Sequence, residues 1–195
     1  LDIGADSHIS TLYVGALGGS TVKFAEDYAK DAGVYLQGGD GDEVKTAGGN
    51  DQVFYTGGDD VMIDTGKGDD FVALMGNGSE VAVELGEGDD NVTFNGNQPY
   101  QVGVAPEHGT YNKPDGPIPA NLEAAVDGGK GYDVMQLATN RANYEFSAAS
   151  GVVAVEGQND LAGDKFALNN VEAIFYLDYE TDEHPVATTL GELTL

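Results

Sequence analysis

Acidic side chains recur in this chain at a fixed offset from glycine. Asp51, Asp60, Asp70, Glu80 and Asp90 each lie two positions after a glycine, and the five glycines (49, 58, 68, 78 and 88) are spaced nine, ten, ten and ten residues apart. An apolar residue follows each acid within about two positions, as in Gly68-Asp69-Asp70-Phe71-Val72 and Gly88-Asp89-Asp90-Asn91-Val92. A glycine turn leading into a short apolar strand, repeated at this period, describes half of one coil of a parallel β-roll. The carboxylates then fall in register along the turns, where a bound cation makes them tolerable. Calcium suits such a place, because it takes 6–8 hard oxygen ligands in flexible geometry, whereas magnesium demands a tight octahedron. Glycine suits the turns because they need positive φ and close approach of backbone to ion.

The first unit, Gly38-Gly39-Asp40-Gly41-Asp42-Glu43-Val44, is out of phase by one residue, so either Asp42 or Glu43 can occupy the acidic slot. The pattern returns once more at Gly128-Gly129-Lys130-Gly131-Tyr132-Asp133-Val134-Met135-Gln136. That unit matches every fixed position of the nonapeptide Gly-Gly-x-Gly-x-Asp-x-U-x of calcium-binding repeats. On these motifs residues 36–97 and 126–177 resemble the RTX family, whose members are secreted by Gram-negative bacteria through one-step (type I) export machines. Asn140-Arg141-Ala142-Asn143-Tyr144 also looks like the segment that often follows the last repeat there.

The resemblance implies several Ca2+ ions between turns of the same edge. Their carboxylate ligands would be Asp51, Asp70 and Asp90 on one edge and Asp42 or Glu43, Asp60 and Glu80 on the other, with Asp133 in the last repeat. Turn backbones at positions such as Gly68, Gly88 and Gly131 would supply carbonyl oxygens. Two departures stand out: the spacing of ten exceeds the family's nine, and Glu80 is a longer acid, so its site is expected to be vacant or distorted.

The rest of the chain must position this array. Residues 1–35 carry no such motif; Ile9–Val14 and Thr21–Phe24 read as strands and Phe24–Ala32 as a short helix stopped by Gly33, together an N-terminal cap. Residues 36–97 hold 14 glycines and 14 acids against Lys45 and Lys67. Residues 98–125 contain five of the six prolines together with Tyr100 and Tyr111, and read as a loop insertion, since proline cannot donate to a sheet ladder. Residues 126–195 hold the last repeat and a β-rich C-terminal section. The expected architecture is a single all-β domain: a calcium-bound parallel β-roll or β-solenoid with an N-terminal cap, a long loop insertion and that C-terminal section.

Composition narrows the function. With 34 acidic and 8 basic residues the net charge is −26, which repels nucleic acid and anionic membrane alike. Leu, Ile, Val and Phe total 45 of 195 residues, close to the level at which a strongly charged chain stays disordered, so folding is expected to need the cation. Cysteine is absent, no apolar run is long enough to cross a membrane, and the opening at Leu1 without a signal-peptide pattern reads as a piece of something longer. Neither His-Glu-x-x-His nor Gly-x-Ser-x-Gly occurs, and no enzyme activity is expected.

A capped array with an inserted loop looks like a ligand-binding module of a secreted RTX adhesin at the bacterial cell surface. The expected ligand is a peptide or protein carboxylate on another cell, contacted by Tyr100, Tyr111 and Asp127, with a sugar diol as the other candidate. The rivals are a calcium-triggered folding and export cap of a toxin or enzyme, and a self-associating surface-layer element. For 98–125 an inert surface loop competes evenly with a recognition loop.

Overall fold

The computed structural model describes residues 1–94, 121–137, 141–176 and 187–189. They form 17 strands: β1 (Asp2–Ile3), β2 (Thr11–Val14), β3 (Thr21–Phe24), β4 (Gly33–Leu36), β5 (Glu43–Lys45), β6 (Gln52–Tyr55), β7 (Met62–Asp64), β8 (Phe71–Leu74) and β9 (Gly78–Glu84) in the first half. The remainder are β10 (Asn91–Phe94), β11 (Leu122–Asp127), β12 (Val134–Leu137), β13 (Tyr144–Ala149), β14 (Val152–Gly157), β15 (Lys165–Asn169), β16 (Ala173–Tyr176) and β17 (Ala187–Thr189). The only helical turns among the described residues are two short 3-10 segments, Arg141–Asn143 and Asn159–Leu161.

Two sheets result. One has nine strands in the order β1-β3-β5-β7-β9-β11-β15-β14-β13, the other eight in the order β17-β16-β12-β10-β8-β6-β4-β2. Pairing is parallel from β1 through β12, and also for β11–β15 and β12–β16; β13, β14 and β17 pair antiparallel.

The expected parallel β-roll or β-solenoid with an N-terminal cap is therefore corrected. The chain is mostly β-strand, but in two sheets of mixed order. A β-roll needs every strand to follow the same circuit, whereas here β11 is neighboured by β15, and an antiparallel β13–β14–β15 meander closes one end.

The cap is corrected as well. Strands β1 and β2 pair in parallel register with β3 and β4, so residues 1–35 continue the two sheets. The helix expected over 24–32 is absent, since Phe24 completes β3 and Ala29 bridges Gly48 of the next turn. Tyr28 is buried there, its ring 4.9 Å from that of Phe24 and its hydroxyl donating to the Ile9 carbonyl at 2.8 Å. Tertiary burial of one aromatic ring outweighs the weak helical propensity of the segment.

Alternation explains the strands. Side chains two apart share a face, so Val72 and Leu74 point to the core while Phe71 and Ala73 point away. Register then builds columns: Val34, Val53, Val72, Val92, Met135 and Ile174 lie side by side, all fully buried. Val22, Val44, Ile63, Val83, Val126 and Leu168 form the facing column in the other sheet. Each such side chain contributes about 1.5–3 kcal/mol when withdrawn from water.

Candidate metal centre

The turns entering β6, β8, β10 and β12 stack directly on one another. Gly48, Lys67, Glu87 and Lys130 are bridged in parallel, and backbone bonds such as Lys67 N–H to the Ala47 carbonyl (2.9 Å) and Gly88 N–H to the Lys130 carbonyl (2.9 Å) join successive turns. Glycine is obligatory at this contact. Gly68, Gly88 and Gly131 have φ of 121°, 149° and 143°, and a Cβ on any of them would collide with the carbonyl of the glycine one turn earlier: Gly49, Gly68 and Gly88.

Inside the turns the acids form a ladder. Asp51, Asp70, Asp90 and Asp133 are buried, and the Oδ1 of each accepts a backbone N–H from the preceding turn. The donors are Ala32 (2.7 Å), Asp51 (2.7 Å), Asp70 (2.7 Å) and Asp90 (2.9 Å). The Asp133 N–H in turn donates to Glu172 Oε2 at 2.8 Å, so a glutamate ends the series. The step from Asp90 to Asp133 crosses 43 residues of sequence without a break in the ladder, because β10 and β12 pair directly in parallel register.

The other carboxylate oxygen is the notable atom. Oδ2 of Asp42, Asp51, Asp70, Asp90 and Asp133 is buried with no hydrogen-bond partner. Thr46 and Thr65 lie close to Asp51 and Asp70, yet their hydroxyls donate along the stack to the carbonyls of Thr65 (2.9 Å) and Leu85 (2.8 Å). Carboxylates on adjacent parallel strands sit about 4.8 Å apart and repel by roughly 3–4 kcal/mol at an effective dielectric constant of about 20.

Burial first, and the neighbouring Asp51 and Asp90 charges after it, push Asp70 up to about 7. Burial, with Asp90, Glu172 and Asp89, brings Asp133 to about 6. Asp51 and Asp90 are raised by the same principal cause. A buried ion that cannot find a donor is what a bound cation relieves.

Glycine leaves room for two of these oxygens. A Cβ on Gly39 would fall on Asp42 Oδ2, and one on Gly128 would come within 2.6 Å of Asp133 Oδ2. Among the described residues no three acidic, histidine or cysteine side chains converge on one point, so an ion here would take most of its ligands from turn carbonyls.

A pH prediction follows from the raised carboxyls. In the unfolded chain they release protons near their ordinary value of 3.8, and in the folded chain Asp70 does so only near 7. The folded state therefore binds more protons across this window, and stability falls as pH rises through it. Calcium-stripped protein is expected to keep more of its β-sheet circular dichroism at pH 5 than at pH 8. A β-sheet signal that grows as pH rises in chelator would contradict the assignment of these carboxyls as buried and uncompensated.

The other expected positions divide sharply. Asp42 occupies a buried slot on the opposite edge, its Oδ1 accepting from Ser20 N–H at 2.8 Å. Glu43 does not: it points outward and pairs with Lys23 at 3.2 Å. Asp60 and Glu80 are exposed with φ of 56°, and in the register of Asp42 the chain places Val61 and Val81, both buried.

The two-edged ligand set is corrected accordingly: one edge carries a continuous buried acidic ladder, and on the other, of the acids expected there, only Asp42 fills a buried slot. Asp127 is occupied by its own turn and the neighbouring one, accepting from Gly129 N–H (3.1 Å), Asn169 Nδ2 (3.1 Å) and Asn170 Nδ2 (2.7 Å). Tyr100 and Tyr111 lie outside the described residues.

Other members were not anticipated. Glu172 ends the ladder, and Asp164 accepts the Leu122 N–H at 3.1 Å on the opposite edge. A second, exposed ladder runs outside the first, in which Asp31, Asn50, Asp69 and Asp89 accept from Asn50, Asp69, Asp89 and Tyr132 N–H at 2.9–3.1 Å. The fifth-position acids of the repeat could have announced this last set, since they recur with the same period as the buried ones.

No protein-family model matches the chain, and no curated protein matches it.

Proposed function

We propose that this chain is a calcium-dependent binding module of a secreted, RTX-like bacterial surface protein, with Ca2+ held along the Asp51–Asp133 edge. What carries the reading is the set of buried, partnerless Oδ2 atoms on Asp42, Asp51, Asp70, Asp90 and Asp133. Asp51, Asp70, Asp90 and Asp133 would hold the ions, Asp42 would hold one on the other edge, and turn carbonyls would complete each shell. The ions would supply positive charge to a chain of net charge −26, and so couple folding to the calcium level outside a cell. The full match of Gly128–Gln136 to the RTX nonapeptide favours the same cation. With order secured by ions, the module can present a recognition surface for a peptide carboxylate or a glycan on another cell.

The test is a glycan and peptide array probed with the protein in calcium and in chelator, alongside a count of bound Ca2+ by native mass spectrometry. Bound calcium together with calcium-dependent capture of one ligand class is the expected result. Bound calcium with no ligand would leave the folding and export cap, and no bound calcium would overturn the proposal.

A further inference from the structure

The edge that lacks a continuous buried acidic ladder still has to hold its turns together. Between β6 and β7 the chain turns through residues 56–61, and between β8 and β9 through residues 75–77, with the N-terminal part of β9 beside it. Their slots are filled by Val61 and Val81, and the acids beside them, Asp60 and Glu80, face solvent. No buried carboxylate enters this turn pair from the described residues; at its surface the exposed Asp59 accepts the N–H (2.8 Å) and the hydroxyl (3.0 Å) of Ser79.

A hydroxyl enters instead. Tyr55 is fully buried, in the core column next to Leu36 and Leu74, and its ring carries Oη from the core into the turns. Oη lies 2.6 Å from the Gly58 carbonyl and 3.0 Å from the Asn77 carbonyl, which belong to successive turns. The single proton is shared between two oxygens that no other side chain among the described residues serves. The backbone bond between the same turns, Gly58 N–H to the Asn77 carbonyl, is long at 3.3 Å, while Asp60 N–H to the Ser79 carbonyl (2.9 Å) joins them nearer the surface, so the hydroxyl is the buried side-chain tie. A Cβ on Gly78 would collide with this hydroxyl, so glycine there leaves room for oxygen in the way that Gly39 and Gly128 do beside their aspartates.

We infer that the Tyr55 hydroxyl closes this turn pair in place of a cation, so that on the second edge no ion sits in the stretch of slots filled by Val61 and Val81, between the buried acids Asp42 and Asp164. The inference rests on the calcium reading and adds to it a division of labour: the Asp51–Asp133 edge ordered by ions, this turn pair by a donor built into the core. A neutral donor to two carbonyls does at this point what a cation does between carboxylates. It does so without a ligand charge and without responding to calcium concentration.

The test is Tyr55→Phe, which keeps the ring and removes the donor. In saturating calcium the variant is expected to bind the same number of ions as the wild type, with an unchanged calcium midpoint. Its thermal midpoint should fall by about 2–4 °C, the value of roughly one hydrogen bond in a domain of this size. If the variant fails to fold, the wild type still decides the matter: its Tyr55 hydroxyl proton should be visible by NMR in slow exchange with water. An ion count that drops in Tyr55→Phe, or a Tyr55 hydroxyl in fast exchange with water, would overturn the inference. A wild type that binds no ions overturns the calcium reading itself, and that outcome is distinct from ions bound by the wild type and lost by the variant.

Discussion

Dialysis into chelator is expected to remove most of the β-sheet circular dichroism of this protein and to expand it, and millimolar calcium is expected to restore both. Four buried aspartates in one column, each with an oxygen that no donor reaches, are tolerable only if protonated or paired with a cation. At neutral pH burial does not keep all four protonated, since Asp133 releases its proton at about 6, and ionisation of all four is opposed by their mutual repulsion. The apolar columns oppose unfolding, but Leu, Ile, Val and Phe make up only 45 of 195 residues and the net charge is −26. Magnesium should restore far less, because turn carbonyls spaced by a β-sheet do not offer its tight octahedron, and it gives up water reluctantly. Size-exclusion chromatography and far-ultraviolet circular dichroism with chelator, then with each cation, check the prediction. An unchanged spectrum in chelator would show that the buried carboxyls need no ion.

How far the site could be read in the sequence depends on parity. The glycine period was legible, and Asp51, Asp70, Asp90 and Asp133 occupy the equivalent slots it implies. In each of these units the inward apolar residue stands two positions after the acid, as Val72 stands after Asp70, so acid and apolar residue share a face. At Asp60-Val61 and Glu80-Val81 the buried apolar residue follows immediately, which turns the acid outward. The same parity chooses Asp42 over Glu43, since Val44 is the inward residue of β5.

Spacing from glycine alone does not carry this information; alternation does. What no local pattern reveals is the long-range part. The ladder steps from Asp90 to Asp133 and on to Glu172, and Tyr55 reaches a carbonyl 22 residues away. The antiparallel end of the nine-stranded sheet was equally out of reach, because Tyr144–Ala149 and Val152–Gly157 alternate as strands of either direction do.

Parity gives the second large expected effect. Asp70→Asn should raise the calcium concentration for half-folding at least about tenfold, a change of roughly 1.4 kcal/mol in ion binding. The amide oxygen can still accept the Asp51 N–H now bound at 2.7 Å, so the backbone ladder survives, while the charge and the hard, partnerless oxygen are lost. Asp70→Ala should cost more, since it also leaves the buried Asp51 N–H unsatisfied, worth about 1–3 kcal/mol. Asp133→Asn should behave like Asp70→Asn despite lying beyond the insertion, because the ladder is continuous there. Asp60→Asn and Glu80→Gln, at exposed positions with equal standing in the repeat, should move the calcium midpoint less than about twofold, within the usual range for surface substitutions. Calcium titrations followed by circular dichroism compare all five, with the spectrum at saturating calcium showing that each variant folds. If Asp60→Asn shifts the midpoint as far as Asp70→Asn, the ions do not follow the buried ladder, and the one-sided arrangement of carboxylates has no functional meaning.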